Sequence, residues 1–163
     1  PRGVEAPTVE LLQRLRDRPA TEDRVADIRR DLQETMDANV QVFRTEETCR
    51  KALADIVELK KRYETVAVQD KGLRYNLDLL EAVELGFLLD LAETVALGAL
   101  YRKESRGGHF REDYDKRDDV NFLHHTMYYR TLEGEEGTEG TTIRLGGAKP
   151  VVITRYEPKE RTF

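Results

Sequence analysis

The sequence has no Trp, and Cys49 is its only cysteine, so no disulfide can close within the chain and no thiolate cluster can hold zinc or iron–sulfur. It has no apolar run approaching the roughly 20 residues that a spanning helix needs, which argues against direct membrane insertion. Positive charge is not in excess either. A net charge of −5 leaves no electrostatic footprint for phosphate backbones, so nucleic acid is not an expected partner. No signal peptide or transit sequence is recognisable, and a reducing, cytoplasmic setting is expected. Pro1 stands where an initiator Met is expected, which suggests a chain cut from a longer one. With 163 residues, 36% charged and 39% hydrophobic, the chain reads as one soluble domain large enough to bury a core.

Residues 1–20 carry Pro1, Pro7 and Pro19 around Val9, Leu11, Leu12 and Leu15, which predicts a linker with one or two helical turns. Thr21 offers an N-cap oxygen ahead of Glu22 and Asp23, and Val25, Ile28, Leu32, Met36, Val40 and Phe43 follow at helical spacing. After Thr45, with Glu46 and Glu47 in the first turn, Ala52, Ile56, Leu59, Tyr63 and Val66 define a second amphipathic helix. Lys60, Lys61 and Arg62 lie near its end, and Gly72 is the expected break. A third helix, Asn76 to Tyr101, is apolar around most of its circumference. Two amphipathic helices either wrap it tightly or leave part of its cover to another domain. Beyond Asp119, Phe122, Leu123, Met127, Tyr128, Tyr129 and Leu132 read as a strand. A Gly/Glu-rich tip and a return strand over Thr142–Leu145 follow, then a short extended stretch at Val151–Ile153 and an extended tail.

The fold class expected is therefore mainly α: a three-helix, spectrin-repeat-like bundle followed by a charged loop and a C-terminal β-hairpin. It divides into a linker (1–20), the bundle with its charged motif (21–119), and the hairpin with its tail (120–163).

Few residues offer chemistry. Gly107-Gly108 and Gly146-Gly147 lack the strand and helix that a dinucleotide fingerprint needs and read as turn glycines. His124 and His125 would face opposite sides of a strand, His109 is remote in sequence, and Cys49 has no obvious base in its predicted helix. The unusual feature is Arg102–Asp119, with six basic residues (102, 103, 106, 111, 116, 117) and six acidic ones (104, 112, 113, 115, 118, 119). Such balance points to paired charges, either in a solvated loop or in a network whose arginine forks dock onto another domain.

That stretch resembles a known family. Arg102-Lys103-Glu104-Ser105-Arg106-Gly107-Gly108-His109 is similar to R-K/R-E-S-R-G-A-H of the succinate dehydrogenase and fumarate reductase flavoproteins, to which L-aspartate oxidase is related. Arg111 to Asp119 is similar to R-x-D-x-P-x-R-D-D, and Asn121 to Thr126 to N-W-L-K-H-T. Gly108, Asp115, Phe122 and His124 stand where the family has Ala, Pro, Trp and Lys, and Asp115 loosens an expected turn.

The resemblance implies the C-terminal domain of a succinate dehydrogenase, preceded in the full subunit by an FAD domain. That enzyme oxidises succinate to fumarate, passes a hydride to FAD and sends electrons on to an iron–sulfur subunit and a quinone. Its setting would be cytoplasmic, at the inner face of the plasma membrane through the assembled complex. No catalytic, cofactor-binding or metal-binding residue is expected in this chain, and no activity in isolation. Arg102, Glu104, Arg106, His109, Arg111, Arg117 and Asp118 are expected at the interface with the flavin domain. Alternatives are the equivalent domain of a fumarate reductase or an L-aspartate oxidase, or a free-standing helical adaptor that binds a partner protein through the same segment.

Overall fold

The computed structural model describes residues 2–19, 21–132 and 134–150, with residues 2–5, 148 and 150 as backbone alone. The element order is α1 (Arg2–Asp17), α2 (Val25–Asn39), α3 (Glu46–Thr65), α4 (Leu77–Tyr101), α5 (Asp119–Phe122), β1 (His124–Arg130), a 3-10 turn (Thr138–Gly140) and β2 (Ile143–Pro150). The mainly α class with a bundle and a C-terminal hairpin holds. The expectations for Val151–Ile153 and the tail lie outside the described residues.

α3 and α4 form where the spacing placed them because each has a working cap. The Thr45 side chain accepts from the Thr48 amide while the Thr48 hydroxyl accepts from the Thr45 amide, a reciprocal capping box. Asn76 accepts from the Leu79 amide at the start of α4.

The start of α2 differs from expectation. Its N-cap is Arg24, with no side-chain cap, and the Thr21 hydroxyl donates instead to the Asp23 carbonyl. Asp23 is drawn away by Arg62 of α3, whose Nη2 and Nε reach Asp23 Oδ1 at 2.7 and 2.9 Å; Arg62 Nη1 also reaches Asp31 Oδ2 at 2.6 Å. Val40 and Phe43 fall beyond the end of α2, so Val40 is buried as a loop residue while Phe43 is exposed. α3 ends at Thr65, before Gly72, and Val66, Ala67 and Val68 are buried in the connection that follows.

The reading of residues 1–20 as a linker is corrected: Arg2–Asp17 is a continuous helix that accommodates Pro7. Its Leu15 is fully buried in the common core and Leu11 packs against that core. Arg18 then clamps the end of α3 by donating to the carbonyls of Tyr63 and Val66, both at 3.1 Å. A fourth long helix therefore joins the three expected ones.

The core is built from Val25, Ile28 and Leu32 of α2, Cys49, Leu53, Ile56 and Leu59 of α3, and Leu85, Leu89 and Leu97 of α4. Ala82, Ala92 and Ala96 give α4 a low inner surface that lets its neighbours approach. Gly86 serves the same end. A Cβ there would lie 2.7 Å from Tyr63 Oη, which itself donates to the Ala82 carbonyl at 2.9 Å. Gly86→Ala is expected to cost about 1 kcal/mol net, because overpacking against a pinned ring outweighs the gain in helix propensity. In thermal melts, adding Tyr63→Phe should recover part of the loss; additive losses would show that the ring is not the obstacle.

The two strands pair antiparallel, from His124 opposite Pro150 to Arg130 opposite Ile143, with a bulge between Thr126 and Tyr128. Gly147 sits in β2 with φ of 92°, so the Gly146-Gly147 pair serves this irregular ladder and not a turn.

Candidate functional site

The segment after α4 folds upon itself around two buried charges, Arg111 and Glu104. Arg111 is fully buried, and its guanidinium forks onto Asp113 (Nε to Oδ1 2.7 Å, Nη2 to Oδ2 2.6 Å). Its Nη1 donates to the carbonyls of Ala99 and Leu100 at 2.6 and 3.2 Å, satisfying acceptors left open where α4 ends. Asp113 in turn accepts from the Glu46 amide at 2.8 Å, placing negative charge at the start of α3. One ion pair thus joins the C-terminal end of α4 to the N-terminal end of α3. Burial works against the Arg111 charge, and Asp113 more than restores it; the Arg111 bond holds the Asp113 carboxyl below the usual range.

Glu104 is the second centre and is also fully buried. It accepts from Arg106 (2.8 and 2.9 Å), from Arg102 (2.5 Å) and from the Asp118 amide (2.8 Å). Burial pushes its carboxyl up, and these donors outweigh burial, leaving it below the usual range. Arg102 continues outward to the carbonyls of Phe122 and His124, both at 2.8 Å, which fixes the start of β1. Asp118 caps α5 through the amides of Val120 and Asn121. Asp119, bound by Arg117 and Arg106, is pushed down to about 2. His109 Nε2 lies 3.0 Å from the Arg102 carbonyl, so that nitrogen carries the proton, and burial lowers the pKa of the ring.

Of the seven expected interface residues, the structure brings all into this one region. Glu104 and Arg111 have no exposed surface and hold the residues around them in place. Gly107, at φ of 59°, makes the turn between Arg106 and His109, and a Cβ at Gly108 would meet nothing within 4 Å, so the family's Ala fits there as well.

A third polar centre escaped the sequence reading. Glu93 is fully buried on α4, pairs with Lys60 of α3, and accepts from the Thr142 amide (3.1 Å) and hydroxyl (2.6 Å). Lys60 also reaches Asp90 at 2.8 Å, so this group fastens the hairpin to the bundle. Glu93 continues the i+4 series Leu85, Leu89, Glu93, Leu97, and a lone carboxylate in a core stripe was the available signal.

Beside these satisfied groups lies an unsatisfied surface. Leu80, Phe87, Leu91 and Val95 of α4 are exposed by 53, 58, 61 and 50%, and their spacing sets them in one row along the helix. The helices wrap one side of α4 and leave this side open.

Gly107-Gly108 lies in a loop turn and Gly146-Gly147 in a strand, so neither pair sets a pyrophosphate against a helix N-terminus. Burial raises the Cys49 thiol, the reverse of an activated nucleophile. No group of three His, Cys, Asp or Glu suited to a metal occurs among the described residues, and no described helix is long and apolar enough to cross a membrane.

Known proteins are similar to this chain in sequence and fold. The fumarate reductase flavoprotein C-terminal family model matches residues 29–163. The fumarate reductase flavoprotein subunit of Mycobacterium tuberculosis (strain H37Rv) is 38% identical over 141 residues, covering 86% of this chain and 23% of that protein. The succinate dehydrogenase flavoprotein subunit of Rickettsia bellii is 45% identical over 103 residues, 63% of this chain and 17% of that one. Among solved structures, a mutant of the E. coli quinol fumarate reductase FrdA superposes with a TM-score of 0.83 at 34% identity, over 98% of this chain and 26% of that chain. The chain thus spans about a quarter of the length of such relatives. The self-contained charge network, the bundle it closes and the extent of the family match agree, and the chain belongs to the succinate dehydrogenase and fumarate reductase flavoprotein C-terminal family.

Proposed function

We propose that this chain is the C-terminal helical domain of a flavin-dependent succinate dehydrogenase, with a structural and docking role. The observation that carries the reading is the open apolar row on α4 beside a charge network that is already satisfied from within. Such a surface binds another protein surface and offers no group for chemistry on a substrate. In the full subunit an upstream FAD domain would cover the row, and Arg102, Arg106, His109, Arg117 and Asp118 would border the contact.

The whole enzyme would oxidise succinate to fumarate, with electrons passing to an iron–sulfur subunit and a quinone at the inner face of the plasma membrane. The fragment alone would be inactive and free of flavin. The reverse direction is the second reading, supported by the M. tuberculosis relative, which matches more of this chain than the R. bellii one. Rates of succinate oxidation and fumarate reduction by the full-length enzyme separate the two. Aspartate oxidation would identify the third alternative.

Leu91→Asp tests the docking itself. In this chain the substitution should change stability by less than about 0.5 kcal/mol, as for other exposed sites. In the full-length subunit it should expose the domain to proteolysis and lower activity several-fold. Equal tolerance in both settings would defeat the docking role and favour a free-standing adaptor.

A further inference from the structure

We propose that the groove between the C-terminal end of α4 and the start of β1 is a carboxylate-binding site, filled by an acidic side chain of the segment that covers α4. This deepens the docking reading above and rests on it. The groove encloses about 500 Å³ and is reached from the apolar row, since Val95 and Gly98 form part of its wall. Arg44 and His124 line the same space.

Arg44 Nε and His124 Nε2 are each buried without a hydrogen-bond partner. Arg29 Nε shares that description, yet its guanidinium donates through Nη2 to the Glu81 carbonyl at 3.2 Å and lies 3.6 Å from Glu84. The Arg44 guanidinium makes no ion pair or hydrogen bond among the described residues. A buried donor left unmade costs on the order of 1–3 kcal/mol, more when it carries charge, so Arg44 Nε calls for an acceptor, and His124 Nε2 can donate to the same one when it carries the ring proton.

The acceptor has to be an anion supplied from outside, because no Asp or Glu lines the groove. Arg102 and Arg106, also in its wall, add positive potential but are bound to Glu104. One free guanidinium fork beside one imidazole matches a single planar carboxylate, which accepts from Nε and a terminal nitrogen together. The wall also carries His109, His125 and Thr126, but its Val95, Ala99, Phe122, Leu123 and Tyr128 side continues the apolar row, which suits a side chain arriving on an apolar segment. A covering element laid along Leu91 and Val95 therefore ends with its acid against Arg44.

The test uses the full-length subunit. Its structure should show an Asp or Glu oxygen about 3 Å from Arg44 Nε. A water, a carbonyl or a bound inorganic anion in that place, with α4 covered, overturns the carboxylate site and leaves the docking reading intact; an uncovered α4 overturns both. In solution, Arg44→Gln should speed hydrogen exchange across residues 124–130 about tenfold, as expected when a buried acid loses its partner. Neutralising the acid seen in the structure should then add little to Arg44→Gln, because the two act as one pair. Additive effects, or exchange unchanged by Arg44→Gln, would refute the pair.

Discussion

Arg111→Met is expected to lower the unfolding free energy by about 3–5 kcal/mol, read from urea titrations followed by circular dichroism. The apolar side chain fills much of the volume but leaves the carbonyls of Ala99 and Leu100 without their donor and Asp113 without its cation. The two carbonyls are the larger cost, because Arg111 has no exposed surface through which water could replace its guanidinium. Arg111→Lys keeps the charge and should recover only part of the loss, since an ammonium cannot address a carboxylate and two carbonyls in fixed directions at once. Asp113→Asn should cost less than Arg111→Met, as the Asp113 side chain is 29% exposed and water can reach it. The pair should be non-additive by more than about 1 kcal/mol. A loss below about 1 kcal/mol for Arg111→Met would mean that α3 and α4 are joined by their apolar contacts alone.

How far such a network can be seen in a sequence depends on whether its partners are local. α3 and α4 were legible because Thr45 and Asn76 cap helices whose apolar residues recur at one period, all within a few residues. The start of α2 was not, because Asp23 answers to Arg62, 39 residues away. α1 was hidden by counting prolines: Pro19 lies beyond the helix, and the helix accommodates Pro7.

In the charged segment, the balance of signs told of pairing, and the i, i+2 spacing of Glu104 with Arg106, Arg111 with Asp113 and Arg117 with Asp119 held a further signal that was not read. In extended chain that spacing puts both groups on one side. What the pattern could not convey is direction. Nothing local says that Arg111 turns inward to the end of α4 while Arg117 stays at the surface. The open row on α4 was half legible: the helix was plainly too apolar for two neighbours, but which side remained open depended on how α1 and the hairpin packed.

Glu104→Gln is expected to cost about 3 kcal/mol at neutral pH and to change the shape of acid unfolding. The amide is nearly isosteric, yet its NH2 would face Arg102, Arg106 or the Asp118 amide, so a donor meets donors where the carboxylate accepted from all of them. The pH dependence follows from the direction of the shift. The Glu104 carboxyl lies below its ordinary 4.5 in the folded chain, so the unfolded chain takes up the proton first as pH falls. The stabilisation is fully present above the unfolded value and is lost as pH falls through the folded one. Asp113, held down by Arg111, and Asp119, at about 2 beside Arg117 and Arg106, lose their contributions in the same direction from an ordinary 3.8. They remain in the variant, so its stability still declines in acid but with one fewer proton taken up. The gap between wild type and Glu104→Gln, measured as urea midpoints from pH 7 down to pH 2, should therefore be widest near neutrality and narrow below about pH 4. A gap of constant width would mean that the charge of Glu104 contributes nothing and that its shape alone closes the bundle against β1.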